Sequence, residues 1–461
     1  MGLTIEQQHV MDCMLTGRQG SRLICFGSSG TGKSFLIKEI VKTFNCSILA
    51  APTGRAATII GGSTIHKLFG IPSTHPINPD FNEQPVHRQR FNDPSCRYFG
   101  GQRKEVLKHC SWIILDEIGM VRCDHLDFIE AALRKARGSF EPFGGAKILC
   151  VGDVGQLPPV AQGRDASTLK RYGYKAPFGL FQSNVLNTDF HQVSLTKVIR
   201  QENPIEANIL NRIRVGAQTK IDIDYLNTRV QSPDSKAVIL TPLRKIRDEI
   251  NKKKLNDLQG RLLCFSATRT GSFKKKRDKD LPIEEKIYLK EYCRVVVKAN
   301  MTYKVMGVTQ RIVNGDTGTF YGVDKRGRMI IHRDSDNSII YLKPKKYQDS
   351  TPKVTIEDGE EKVTDESKGQ YIQFPIQLGY SMTIHSSQGS TLNKVHLQLP
   401  RQVPMAPGLT YTALSRIKSF SDLTLSRDLQ MYDIWSDVSA SFHHQQYEFS
   451  YEYKTRNQQK I

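Results

Sequence analysis

The chain has 461 residues, 66 Lys and Arg against 46 Asp and Glu, and a formal net charge of +20. That length exceeds one hydrophobic core and calls for two or more domains. The positive excess calls for a polyanionic partner, nucleic acid first and an acidic membrane surface second. No run of 18 apolar residues and no N-terminal apolar h-region occurs, which argues against a membrane span and against secretion. The nine cysteines include no C-x-x-C pair, which argues against a zinc site and fits a reducing compartment.

In chain order, "RLICFG" (22–27) reads as a buried strand and "KSFLIKEIVKTF" (33–44) has helical apolar spacing. Between them "GSSGTGKS" (27–34) fits G-x-x-x-x-G-K-[ST] in its required strand-to-helix setting. Backbone N–H groups of Gly27, Ser28, Ser29, Gly30, Thr31 and Gly32 can cradle phosphates, together with the helix N-terminus. Lys33 can reach the β- and γ-phosphates, and the Ser34 hydroxyl can ligate Mg²⁺. A glycine-rich turn ahead of a helix is the plain alternative. The runs "CSILAAPTG" (46–54), "SWIILDE" (111–117) and "KILCVGD" (147–153) are the next strands. Their alternation with helices predicts a parallel α/β sheet covered on both faces. Between Pro72 and Lys104 the periodicity disappears, which predicts an inserted subdomain, with disorder as the alternative.

Parallel sheets bind ligands at strand carboxyl ends. Asp116 and Glu117 end one strand there: Asp116 would hold Mg²⁺, and Glu117 would position or deprotonate the attacking water. The next strand runs into "GDVGQLPPV" (152–160). Its prolines stop ladder pairing. Gln156 can both donate and accept, which suits contact with a γ-phosphate or the attacking water. Pro158, in the stiff Leu157-Pro158-Pro159, would carry a shift of Gln156 toward bound nucleic acid. A phosphate loop with paired acids makes an NTPase, and the absence of an N-K-x-D signature favours ATP over GTP.

After "SLTKVIRQ" (194–201) a second α/β region opens, with a strand and a basic helix in "AVILTPLRKIRDEINKKKL" (237–255). The lysine-rich 242–280 stretch suits a nucleic-acid track, a solvated face or a nuclear-import signal equally. "YCRVVVKANM", "NGDTGTFYGV", "GRMIIHRD" and "SIIYLKP" predict short strands of a small barrel or sandwich. Helical character returns after Thr383, and the polar tail from about Ser436 carries no firm structure.

Taken in order, these motifs resemble the petite-integration-frequency (PIF) and RecD-like branch of superfamily 1 DNA helicases. "LTIEQ" (3–7), "APTGRAA" (51–57), "GGSTIHKLFG" (61–70), "ILDEIGM" (114–120), "GDVGQLPPV", "LTKVIRQ" (195–201), "VNGDTGT" (313–319), "LGYSMTIHSSQGSTL" (378–392) and "YTALSRI" (411–417) carry the likeness. The family usually has a serine where Gly119 stands, and bulkier residues at Val154-Gly155.

The resemblance implies two RecA-like P-loop motor domains, 1–200 and 201–435. The first would carry a wedge-like insertion at about 72–104. The second would carry a β-rich, Src-homology-3-like insertion at about 260–375, and a polar tail would follow at 436–461. It implies that Gln7 reads the adenine edge, that Gly389 borders the nucleotide, and that Arg200 and Arg416 are arginine fingers. Thr53, Thr64, His66, Phe69, Pro158, Thr383 and His385 would contact DNA, Phe69 by stacking on a base, with core packing as its equal alternative. ATP and Mg²⁺ would be the cofactors. The activity implied is 5′-to-3′ movement on single-stranded DNA with unwinding of forked duplex DNA, by an intracellular, nuclear or cytoplasmic, monomeric motor without membrane contact. An RNA helicase, or a nucleic-acid scaffold that keeps the fold without turnover, are the alternatives.

Overall fold

Continuous apolar runs suit strands buried on both faces, and four such strands form the middle of a six-stranded first sheet. The six are β1 (Arg22–Gly27), β2 (Ile48–Ala51), β3 (Ser63–Thr64), β4 (Trp112–Leu115), β5 (Lys147–Gly152) and β6 (His191–Leu195). All pairings are parallel, in the order β3-β2-β4-β5-β1-β6, with the shorter β3 and the more polar β6 at the edges. The computed structural model describes residues 2–436, except 45–46, 72–75, 78–101, 160, 162, 177, 188–189, 199, 202, 277, 279–280, 358–359 and 401–404. Most of the insertion expected at 72–104, and the tail beyond 436, lie outside the described residues.

Successive strand residues point to opposite faces, and the two cores of this sheet follow that alternation. Ile24, Phe26, Ile113, Leu115, Ile148 and Cys150 line one face. Leu23, Cys25, Ile114, Leu149, Val151 and Leu195 line the other. The second face is closed by α1 (Ile5–Thr16) and α2 (Lys33–Thr43) through Val10, Met14, Leu36 and Ile40. On the first face lies α4 (Ile65–Phe69), with the long helix Cys123–Arg137 supplying Leu126, Ile129 and Leu133, while α3 (Gly54–Ile60), whose Ala57 is buried, packs beside β2, β3 and α2. Fully burying one such Leu or Ile side chain contributes about 1.5–3 kcal/mol, so this double burial holds the strand ends in fixed register.

The chain divides into two compact units, one built on Met1–Ile199 and one on Arg200–Asp349 with Gly369–Ser436. The second unit has a parallel sheet of Ser381–Thr383, Val238–Thr241, Val395–Leu397 and Leu423–Leu425, paired in that order. Between its strands runs a β-rich segment. Its largest sheet is antiparallel, in the order Ile339–Leu342, Met329–Arg333, Thr317–Val323, Arg294–Val297 and Ile376–Leu378. A bulge between Phe320 and Gly322 bends it, and the glycine there has φ +130°. The helix expected after Thr383 is only Ile384–Ser387, followed later by Leu409–Leu414. Gly389, at φ 75°, marks the end of the first of these, because the left-handed region suits glycine. The "FKKK" stretch of the basic region folds as a turn, Gly271–Lys275, with Phe273 buried and the Lys276 ammonium 4.0 Å from the centre of its ring.

Candidate nucleotide and DNA site

The loop after β1 turns tightly because its glycines allow it. Gly30 and Gly32 have φ 89° and 83°, where a Cβ would strain the backbone. A Cβ on Gly27 would lie 2.5 Å from Thr31 Oγ1, whose hydroxyl donates to Ser28 O at 3.0 Å. α2 opens with Gly32 as N-cap and no side-chain cap, a first turn suited to an anion. The Lys33 ammonium donates to Gly27 O and Ser28 O at 2.8 and 2.9 Å. Ser34 follows it, exposed, in the first turn.

Gln7 lies beneath this loop, buried. Its amide donates to Thr31 O at 3.1 Å and Gly32 O at 3.4 Å and accepts from Thr4 N at 3.0 Å. Thr4 Oγ1 accepts in return from Gln7 N, so the glutamine caps α1 and braces the phosphate loop with one side chain. The adenine contact expected of Gln7 therefore requires exchange of these bonds.

β4 ends at Leu115, and Asp116 N donates to Ala50 O at 2.9 Å, continuing the edge of the sheet. The Asp116 carboxylate accepts from Glu117 N at 2.8 Å. Glu117 has φ 52°, an arrangement that costs about 1–3 kcal/mol in a non-glycine residue. Burial first, and the Glu117 charge second, hold the Asp116 carboxyl above its usual range, with Lys33 opposing. Two carboxyls in adjacent positions, and the hydroxyl of Ser34 in the first turn of α2, are hard oxygen donors of the kind Mg²⁺ accepts.

The turn after β5 packs directly on the turn after β4. A Cβ on Gly152 would come within 2.8 Å of Ile118 N, and one on Gly119 within 2.7 Å of Asp153 O. The two departures from the family pattern, at Gly119 and at Val154-Gly155, thus meet at one contact. Asp153 is buried and accepts from Gly155 N at 3.1 Å and from the Gln156 amide at 3.1 Å. Gln156 is therefore held by a carboxylate three residues back. Leu157 is buried, and Pro158 is half-buried.

In the second unit, Arg200 donates to Ser415 O at 2.7 Å. Arg416 is buried and donates to Thr412 O and Ser415 Oγ, both at 2.8 Å. Burial first, and Arg416 second, pull the Arg200 guanidinium below its usual range, so charge is concentrated here.

Thr53, Thr64 and Thr383 share one role: each is a helix N-cap accepting from the N–H three residues on, at 3.1–3.2 Å. His66 stacks edge-on against His125 at 5.0 Å, and burial, then Arg122, lower its pKa, so it offers hydrogen bonds more readily than charge. His385 is exposed. Phe69, for which base stacking and core packing were equal expectations, is fully buried in the core of the first face, because α4 turns its apolar side onto the sheet.

Three contributors escaped the sequence reading. The Asp-x-Gly-Gln spacing that makes Asp153 an Asx-type brace was visible in "GDVGQ". Ser415, which holds both arginines, had no signal beyond lying beside Arg416. Glu6, which accepts from Thr196 N at 3.0 Å and Lys197 N at 3.3 Å, had none at all, since its partners lie 190 residues away.

A sequence model of the PIF1-like helicase family matches residues 2–214. The ATP-dependent DNA helicase PIF1 of Danio rerio is 29% identical over 437 residues, 91% of this chain, and this chain spans 60% of that relative's length. The crystal structure of Bacteroides sp Pif1 in complex with ADP-AlF4 is 28% identical with a TM-score of 0.83, covering 98% of both chains. Bacteroides Pif1 in complex with ADP-AlF3 and single-stranded DNA is 29% identical with a TM-score of 0.64, covering 97% of this chain and 98% of that one. The α/β fold with two RecA-like domains stands on these likenesses together with the parallel sheets described above. With the ordered motifs and this likeness along nearly its whole length, the chain is similar to the PIF1-like helicases.

Proposed function

We propose that the chain is an ATP-driven DNA helicase that moves 5′-to-3′ on single-stranded DNA and unwinds forked duplex DNA. The observation that carries this is the gathering of the phosphate loop, Asp116, Glu117 and Gln156 at the carboxyl ends of the adjacent strands β4, β5 and β1. In this reading the N–H groups of Gly27–Gly32 hold the phosphates and Lys33 leaves the loop carbonyls for the β- and γ-phosphates. Ser34 and Asp116 would hold Mg²⁺, which neutralises phosphate charge when bound. Glu117 takes the proton of the attacking water, and Gln156 orients that water. Arg200 and Arg416 stabilise charge on the transferring γ-phosphoryl, a contribution worth about 10³–10⁵ in rate. The Gly389 backbone borders the nucleotide. Thr53, Thr64, His66, Pro158, Thr383 and His385 form the DNA track, with backbone contacts outnumbering base contacts, since a motor must not stop at sequence.

The protein works as a monomer inside the cell, in nucleus or cytoplasm; the described cysteines are all free thiols, and no described helix is long and apolar enough to cross a membrane. ATP hydrolysis should rise strongly when a single-stranded oligonucleotide is added, and a rate that stays flat would exclude the motor. Forks carrying only a 5′ or only a 3′ tail then test direction: unwinding should require the 5′ tail and scale linearly with protein concentration.

A further inference from the structure

Away from the nucleotide site, α1 and β6 run side by side in opposite senses. Glu6 on α1 meets Thr196 and Lys197 just past the end of β6. At the other end of the same contact, His9 and Cys13 meet His191, the first residue of β6. His9 and Cys13 are four residues apart on one helix and share a face. Val10, Met11 and Met14 bury the neighbouring face, so the pair is held at the margin of the core.

His9 Nε2 lies 3.7 Å from Cys13 Sγ. The His9 and His191 rings are 6.0 Å apart, edge to face. One donor atom from each of the three residues lies within 4.8 Å of the other two. A tetrahedral zinc ion with Zn–N near 2.0 Å and Zn–S near 2.3 Å sets its nitrogen and sulfur ligands about 3.5 Å apart. The His9–Cys13 separation already matches that value. Two imidazoles with a thiolate select a borderline-soft ion over Mg²⁺ or Ca²⁺.

We infer that His9, Cys13 and His191 form a zinc site that ties α1 to the start of β6. Water takes the fourth position, and the Cys13 proton leaves to solvent as Sγ binds. The site has a consequence for the nucleotide loop, because α1 also carries Gln7, whose amide braces Thr31 and Gly32. Zinc at one end of α1 and Glu6 at the other fix the helix that supports the loop.

The test uses the full chain freed of metal by chelation and titrated with Co²⁺ as a spectroscopic stand-in. A thiolate-to-cobalt charge-transfer band should saturate at one equivalent and disappear when Zn²⁺ is added. Cys13→Ser should abolish the band. The exposed His9→Ala and His191→Ala should weaken binding at least tenfold while leaving the far-ultraviolet circular dichroism and metal-free unfolding temperature unchanged. Zn²⁺ should raise the unfolding temperature of the parent by a few degrees and leave that of the variants unmoved. No charge-transfer band, a band that survives Cys13→Ser, or histidine variants that bind as tightly as the parent would each overturn the site.

Discussion

At the scale of single residues, the site depends on close backbone approaches as much as on charged groups. Lys33→Ala should abolish ATP turnover while salt-sensitive DNA binding persists; equal loss of both would make Lys33 a structural residue. Asp153 grips the amide of Gln156, so the two act as a unit. Gln156→Ala and Asp153→Asn should each lower the base pairs opened per ATP by about tenfold, and the double variant should be no worse than either single one. Additive losses, measured by paired ATPase and unwinding assays, would separate the two residues. Gly119→Ser restores the residue usual in the family, yet its Cβ would sit 2.7 Å from the Asp153 carbonyl. It should cost about 1–3 kcal/mol in denaturant unfolding. The placement of Lys33, Asp116 and Glu117 at the carboxyl ends of neighbouring strands was legible because it depends on local spacing. The grip of Asp153 was legible only in part, and the packing of Gly119 on Asp153 was not, since it joins two turns that follow different strands.

At the scale of elements, the threonines of three motifs turn out to be helix caps, so each hydroxyl oxygen accepts from a backbone N–H and keeps its O–H to donate. The same level explains Phe69: five residues of helix with Ile65, Leu68 and Phe69 all buried leave no aromatic ring for a base. The pairing of α4 with the helix Cys123–Arg137 through His66 and His125 has a pH signature. Burial pushes the His125 imidazole down to about 3, with Asp124 opposing and Arg122 and His66 adding to the shift. The unfolded chain protonates this group near 6.5 and the folded one resists it. Stability from this site is therefore complete above about pH 6.5 and is lost as pH falls toward 3, by at most about 1.4 kcal/mol per pH unit. His125→Gln should flatten the fall in unfolding temperature between pH 7 and 5. A variant with the parent's slope would assign the acid sensitivity elsewhere.

At the scale of the whole molecule, the +20 charge should make the proposed DNA binding steeply salt-dependent, with a log–log slope set by the number of phosphates neutralised. Sequence by itself determined the strand-and-helix alternation, the phosphate loop, the acid pair and the positive charge excess. Each of these rests on short-range spacing or on summed composition. The β-rich segment was legible as strands because turn residues punctuate it, but its antiparallel order was not. Only the tertiary structure decided which side chains share a neighbourhood. It put Phe69 in the core, Asp153 on Gln156, and Arg200 beside Arg416 on Ser415. It also brought His191 to His9 and Cys13, a ligand set that cysteine spacing alone had argued against. The reason is physical: side-chain contacts between distant segments are set by sheet order and register, which no local window of sequence contains.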